Sequence, residues 1–184
     1  MITIQEIIKQ TNDYRYEQGL PALKTNPALM KAAQKRAEDM AKSGLFSHSN
    51  ASGTKAWVPY IVNSGYKGGP AGENLAVLFN NATDTMAAWR KSPTHNQNLI
   101  NPKYSEMGIA IVPGVYKGKK TEFIINLFSS PLATKAATKP IAKLATKSAA
   151  PVAPAKTYPY YPMTLQNANS TIPRAVEPRP ALIR

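Results

Sequence analysis

The chain has 184 residues, no cysteine, and a net charge of +13. Its length favours a single folding unit, and the missing thiols exclude disulfide staples and cysteine-held zinc. No stretch approaches the roughly 18 apolar residues of a membrane helix, and Met1–Glu6 shows neither the cationic head nor the apolar run of a signal peptide.

Thr3 followed by Glu6 is a capping-box pattern that opens a helix through Ile4, Ile7, Ile8 and Thr11, ended by Gly19-Leu20-Pro21. Asn26-Pro27 starts a second, with Asn as cap and Pro in the first turn. It keeps Leu29, Ala33, Arg36, Ala37 and Met40 near one face and stops at Gly44. A third helix is expected over Thr54–Asn63, and Gly68-Gly69-Pro70 reads as a loop. Asp84–Arg90 predicts a fourth, with Met86 and Trp89 inward, and Ser92-Pro93 restarts a helix through His95 to Leu99. Met107–Val112 and Glu122–Phe128 carry the branched and aromatic residues of strands, joined through Pro113–Lys120, and Leu75–Phe79 is a weaker strand. The pattern gives an α+β class: layered helices around a small, mainly antiparallel sheet, spanning residues 1–130.

Residues 131–184 differ in kind. They hold nine of the 16 prolines, and eight cations against Glu177 give them +7 of the total charge, leaving +6 for residues 1–130. Lysines recur at 135, 139, 143 and 147, where a helix would stack like charges and Pro140 would interrupt it. Tyr158-Pro159-Tyr160-Tyr161-Pro162 favours an extended, polyproline-like backbone. An extended, basic Pro/Ala/Lys-rich tail is expected, disordered alone and held by an assembly partner.

Two histidines exist, His48 in Phe46-Ser47-His48-Ser49 and His95 in Ser92-Pro93-Thr94-His95-Asn96, with Gly72-Glu73-Asn74 between them. Two imidazoles and a carboxylate can hold zinc or another divalent metal with an open position, though 47 positions of separation leave convergence to the fold. Each residue also has a structural reading. Glu73 could pin its own loop, the histidines could bond each other or Glu73, and Asn74 could bridge backbone groups. Ser92 could cap a helix or stand as a nucleophile beside His95.

The succession Asn12, Arg15, Gly19-Leu20-Pro21, Ala32-Ala33, Arg36-Ala37, Phe46-Ser47-His48, Gly65-Tyr66, Gly72-Glu73-Asn74-Leu75-Ala76, Trp89, Ser92-Pro93-Thr94-His95, Asn98-Leu99-Ile100 and Met107-Gly108-Ile109-Ala110 resembles the bacterial branch of the CAP (SCP/PR-1-like) superfamily. The resemblance runs in order from about Gln5 to Phe128. It implies a three-layer α/β/α sandwich with a central cleft able to bind a divalent metal. His48 and Glu73 match the cavity histidine and the Gly-Glu-Asn glutamate, and His95 matches the histidine of the bacterial Ser-Pro-x-His helix. Two departures stand out: Ser92 occupies the place of the eukaryotic second acid, and Phe123-Ile124-Ile125-Asn126 replaces the aromatic-x-Thr-Gln frequent in bacterial members.

Three functions follow as expectations. The first is a non-enzymatic CAP module with a cavity of His48, Glu73, His95, Asn74 and Ser92, extracellular or virion-associated and tethered through residues 131–184. The second is a metal-dependent hydrolase of cell-wall or peptide bonds, with the metal on His48, His95 and Glu73. The third is salt-dependent binding of an anionic polymer or nucleic acid by the tail.

Overall fold

The computed structural model describes residues 1–132; the expectations for the tail beyond Leu132 lie outside the described residues. Helix α1 (Ile4–Glu17) begins with the capping box complete: Glu6 N–H donates to the Thr3 hydroxyl at 3.2 Å and Thr3 N–H to the Glu6 carboxylate at 2.9 Å. Helix α2 (Pro27–Ser43) starts under the Asn26 cap and ends at Gly44, whose φ of 68° is the left-handed conformation that favours glycine. Helices α3 (Val58–Asn63), α4 (Ala82–Lys91) and α5 (Pro93–Leu99) complete the helical set, and strands β1 (Lys24–Thr25), β2 (Gly68–Ala76), β3 (Glu106–Tyr116) and β4 (Lys119–Pro131) form one sheet. No helix among the described residues is long and apolar enough to cross a membrane.

The sheet order is β1-β3-β4-β2, with β1 parallel to β3 and the other pairs antiparallel. Strand alternation divides the core between its two faces. Ile109, Ile124 and Phe128 pack with Ile7, Met86, Trp89 and Leu99 of α1, α4 and α5. Leu75, Phe123, Ile125 and Leu127 pack with Leu29, Ala33, Ala37 and Met40 of α2 and with Ile61 of α3. The result is the expected α/β/α sandwich. The small residues of α2 let it lie directly on β3: a Cβ at Gly108 would stand 2.1 Å from the Leu29 carbonyl carbon.

Four local expectations are corrected. Gly68-Gly69-Pro70 is the start of β2, because β2 is an edge strand where a proline costs no ladder bond. The strand expected at Leu75–Phe79 therefore lies earlier and ends at Ala76. The third helix is shorter than Thr54–Asn63, since Asn50 draws Ser52 N–H and Thr54 N–H into a turn around Gly53. Most of Pro113–Lys120 is strand: the hairpin closes tightly on Lys117 and Gly118, with φ of 48° and 76°, as a primed two-residue turn requires.

Candidate functional site

The site grows from Gly72-Glu73-Asn74 on β2, where neighbouring side chains serve opposite layers. Glu73 turns toward α2. Its Oε2 accepts from Arg36 Nε at 3.1 Å, and its Oε1 from His48 Nδ1–H at 2.8 Å. Asn74 turns toward α5, donating from Nδ2 to the His95 carbonyl at 3.1 Å and accepting from Asn98 Nδ2 at 2.9 Å. Gly72 leaves room for its neighbours, because a Cβ there would displace the Asn98 amide and the Tyr104 hydroxyl.

His48 is carried by the segment after α2. This segment folds back through the Ser49–Lys55 bridge and an Ala56 N–H bond to the His48 carbonyl at 2.9 Å. Arg36 links that segment to the strand, donating from one terminal nitrogen to the Ser47 carbonyl while its Nε holds Glu73. Its role was not assigned from the sequence; the available signal was a lone guanidinium within the otherwise apolar stripe Leu29, Ala33, Ala37 and Met40.

His95 lies in the first turn of α5, buried, with its ring centroid 5.7 Å from that of His48. Its Nδ1 is 2.8 Å from Ser92 Oγ. Ser92 thus stands at the start of α5 without a side-chain capping bond, its hydroxyl orienting the imidazole instead. The other nitrogen, His95 Nε2, is buried and has no hydrogen-bond partner among the described residues. Burial, and then the neighbouring His48, push the His95 pKa down to about 4 from its ordinary 6.5. His95 is therefore neutral at physiological pH.

A titration follows with a definite sign. Between pH of about 4 and 6.5 the unfolded chain binds more protons at this position than the folded one, so stability falls as pH drops through that window. The loss is about 1–2 kcal/mol after allowance for screening at the cleft mouth. With two histidines in the chain, their ring resonances are readily assigned by a His95→Gln variant. The expected His95 midpoint is near 4, and a midpoint near 6.5 would contradict this environment.

The sequence expectation put His48, Glu73 and His95 on one metal, and the fold does bring all three to one cleft of about 470 Å³. Their chemistry does not support a three-ligand centre. Both Glu73 oxygens are bonded to Arg36 and His48, and no group of three or more His, Asp, Glu or Cys side chains able to hold a metal exists among the described residues. The ligand set therefore does not fit a zinc ion with an open position, and no water-activating step is derived through one.

An α/β/α sandwich with a polar cleft at the edge of β2, built from a Gly-Glu-Asn strand and two convergent histidines, defines a domain of the SCP/PR-1 class. The chain belongs to the cysteine-rich secretory protein (CAP) family, whose pattern matches residues 8–127. It is 28% identical over 109 residues to the YkwD protein of Bacillus subtilis, a match covering 59% of this chain and 42% of that one. Among solved structures, it resembles an extracellular protein containing an SCP domain from Bacillus anthracis, with 26% identity and a TM-score of 0.57 over 68% of this chain and 39% of the other. It shares the fold of an outer surface protein from Borrelia burgdorferi, at 21% identity and a TM-score of 0.59 over 70% of this chain and 92% of the other. The chain spans less than half the length of both Bacillus relatives.

Proposed function

We propose that this chain is a non-enzymatic CAP module that acts outside the cell and holds a ligand in the cleft around His48, Glu73 and His95. The observation that carries this reading is the state of Glu73. A general base needs a free carboxylate oxygen within reach of a water or substrate proton. Glu73 is buried and has one oxygen bonded to a guanidinium and the other to an imidazole N–H. A divalent ion would find His95 Nε2 unpartnered but no oxygen of Glu73 unengaged, so the hydrolase reading is the weaker one. The extracellular and outer-surface descriptions of the Bacillus anthracis and Borrelia proteins support the location.

The test is turnover. The full chain, with and without added zinc, is expected to release no product from peptidoglycan or casein above a buffer control. Zinc-dependent turnover that Glu73→Gln removes would overturn the proposal.

The basic segment 131–184 completes the reading as a tether to an anionic partner in an assembly, at a cell surface or in a virion. Its +7 charge supports attraction to phosphate-bearing polymers without sequence preference. Retention of the full chain on immobilised teichoic acid should fall steeply from low to moderate salt. Retention that is indifferent to salt, or unchanged when 134–184 are removed, would refute the tether.

A further inference from the structure

We infer that the cleft is built for a neutral, polyhydroxylated ligand, a short stretch of glycan; this rests on the reading of the cleft as a binding site and names the ligand class. Beyond the two histidines and Glu73, the walls are made by Ser49, Thr94, Gln97, Asn98, Asn101 and Tyr104. These are hydroxyls and amides, groups that both donate and accept, as a sugar hydroxyl does. Two remain available: the Gln97 amide and the Ser49 hydroxyl make no side-chain hydrogen bond to another described residue, while the Asn101 amide accepts from Lys103 N–H at 3.0 Å and meets the Tyr104 hydroxyl.

Charge argues against the other small-ligand classes. Among the described residues, the cleft contains one ammonium, Lys55, whose Nζ lies 5.3 Å over the Trp57 ring, and one carboxylate, Glu73, which is already paired. His95 is held neutral by its burial. An anionic ligand would thus meet no cluster of cations, and a cationic ligand no unengaged carboxylate. The walls are too polar for an acyl chain, which needs a predominantly hydrophobic lining. Trp57 and Tyr104 add apolar ring surface at the sides, suited to the C–H faces of a sugar ring.

A peptide is the other ligand that amides could recognise, and the sheet edge disfavours it. A peptide reading this site would add to β2 by main-chain hydrogen bonds. The Glu73 carbonyl already accepts from Asn98 Nδ2 at 3.1 Å, and the Leu75 carbonyl from Trp89 Nε1 at 3.0 Å. Beside the cleft, those two acceptors of the edge are already taken by the protein's own side chains.

The experiment titrates the full chain with chitotriose, cellotriose and maltotriose, and with trialanine in parallel, reading binding by calorimetry and by the His95 ring resonances. At least one trisaccharide should bind one to one and shift His95. Gln97→Ala and Ser49→Ala should each weaken it about tenfold, the scale of one lost hydrogen bond, with the melting temperature unchanged. If no trisaccharide binds, or both variants bind as the parent does, the glycan inference is overturned. A His95 shift with trialanine alone would overturn it too while leaving the cleft a binding site. Silence from all four probes would count against both readings.

Discussion

Replacing Arg36 with methionine should cost about 3–5 kcal/mol of folding stability, the range seen when one partner of a buried ion pair is removed. The reason is the carboxylate left behind. The Glu73 side chain is fully buried and that of Arg36 only 8% exposed, so water cannot replace the guanidinium. Methionine has the length to fill the space, so the loss is electrostatic rather than a cavity. Arg36 also bonds the Ser47 carbonyl, one residue before His48, so the variant should loosen the segment that carries the imidazole. Urea denaturation of Arg36→Met, Glu73→Gln and the double variant separates these effects. Glu73→Gln in the Arg36→Met background should recover about 1–3 kcal/mol by removing the stranded charge, giving a clear coupling in the cycle. A single-variant loss below about 1 kcal/mol, or strict additivity, would mean that the pair is solvated and contributes little.

That ion pair shows what could and could not be read from the sequence. Local signals were legible where one element's own residues decide its fate. Thr3 and Glu6 cap each other, Asn26-Pro27 opens α2, and the branched runs in β3 and β4 extend as strands. Signals failed where the deciding partner is remote. Gly68-Gly69-Pro70 has the composition of a loop and becomes strand through its pairing with β4, and β1 is two residues held by Glu106 and Met107. No periodicity in either segment could reveal this.

The candidate site divides in the same way. His48 and His95 stood out as the two histidines of the chain, with Glu73 in the Gly-Glu-Asn between them, and the fold sets all three on one cleft. What they do there depends on residues with no short-range link to them. Arg36 and Glu73 are 37 positions apart, and Asn98 reaches the Glu73 carbonyl across 25. Ser92 shows the subtler limit. A serine before proline reads as a helix cap, yet its hydroxyl bonds His95 three residues on, one turn along the same helix. The spacing was visible; the choice between two legitimate partners of that hydroxyl, a backbone N–H and the imidazole, was not.

Arg15→Met is expected to be comparably severe, at about 3–5 kcal/mol, for a different reason. Arg15 is completely buried and has no carboxylate partner among the described residues. Burial alone lowers its pKa. Its guanidinium is satisfied entirely by backbone oxygens: Nε donates to Pro21 at 2.9 Å, and the terminal nitrogens donate to Leu99 at 2.8 Å, Asn101 at 3.1 Å and Tyr104 at 3.3 Å. One planar fork thus ties the turn after α1 to the chain that leaves α5 and enters β3. Methionine would leave the Pro21, Leu99 and Tyr104 carbonyls without the donor Arg15 gives them, the Asn101 carbonyl keeping Tyr104 N–H at 3.3 Å. Each buried unpaired acceptor costs about 1–3 kcal/mol before the structure relaxes. Lysine should rescue little, because an ammonium is a point charge and cannot reproduce a four-bond planar fork. Asn101 and Tyr104 both line the cleft, so the damage should extend to the site. Hydrogen exchange in Arg15→Lys should accelerate first at residues 99–105, ahead of the β3–β4 ladder, because local opening needs only those bonds to break. A lysine variant as stable as the parent would show that charge rather than geometry holds this junction; uniform acceleration across the sheet would show that Arg15 supports the whole fold rather than the wall of the cleft.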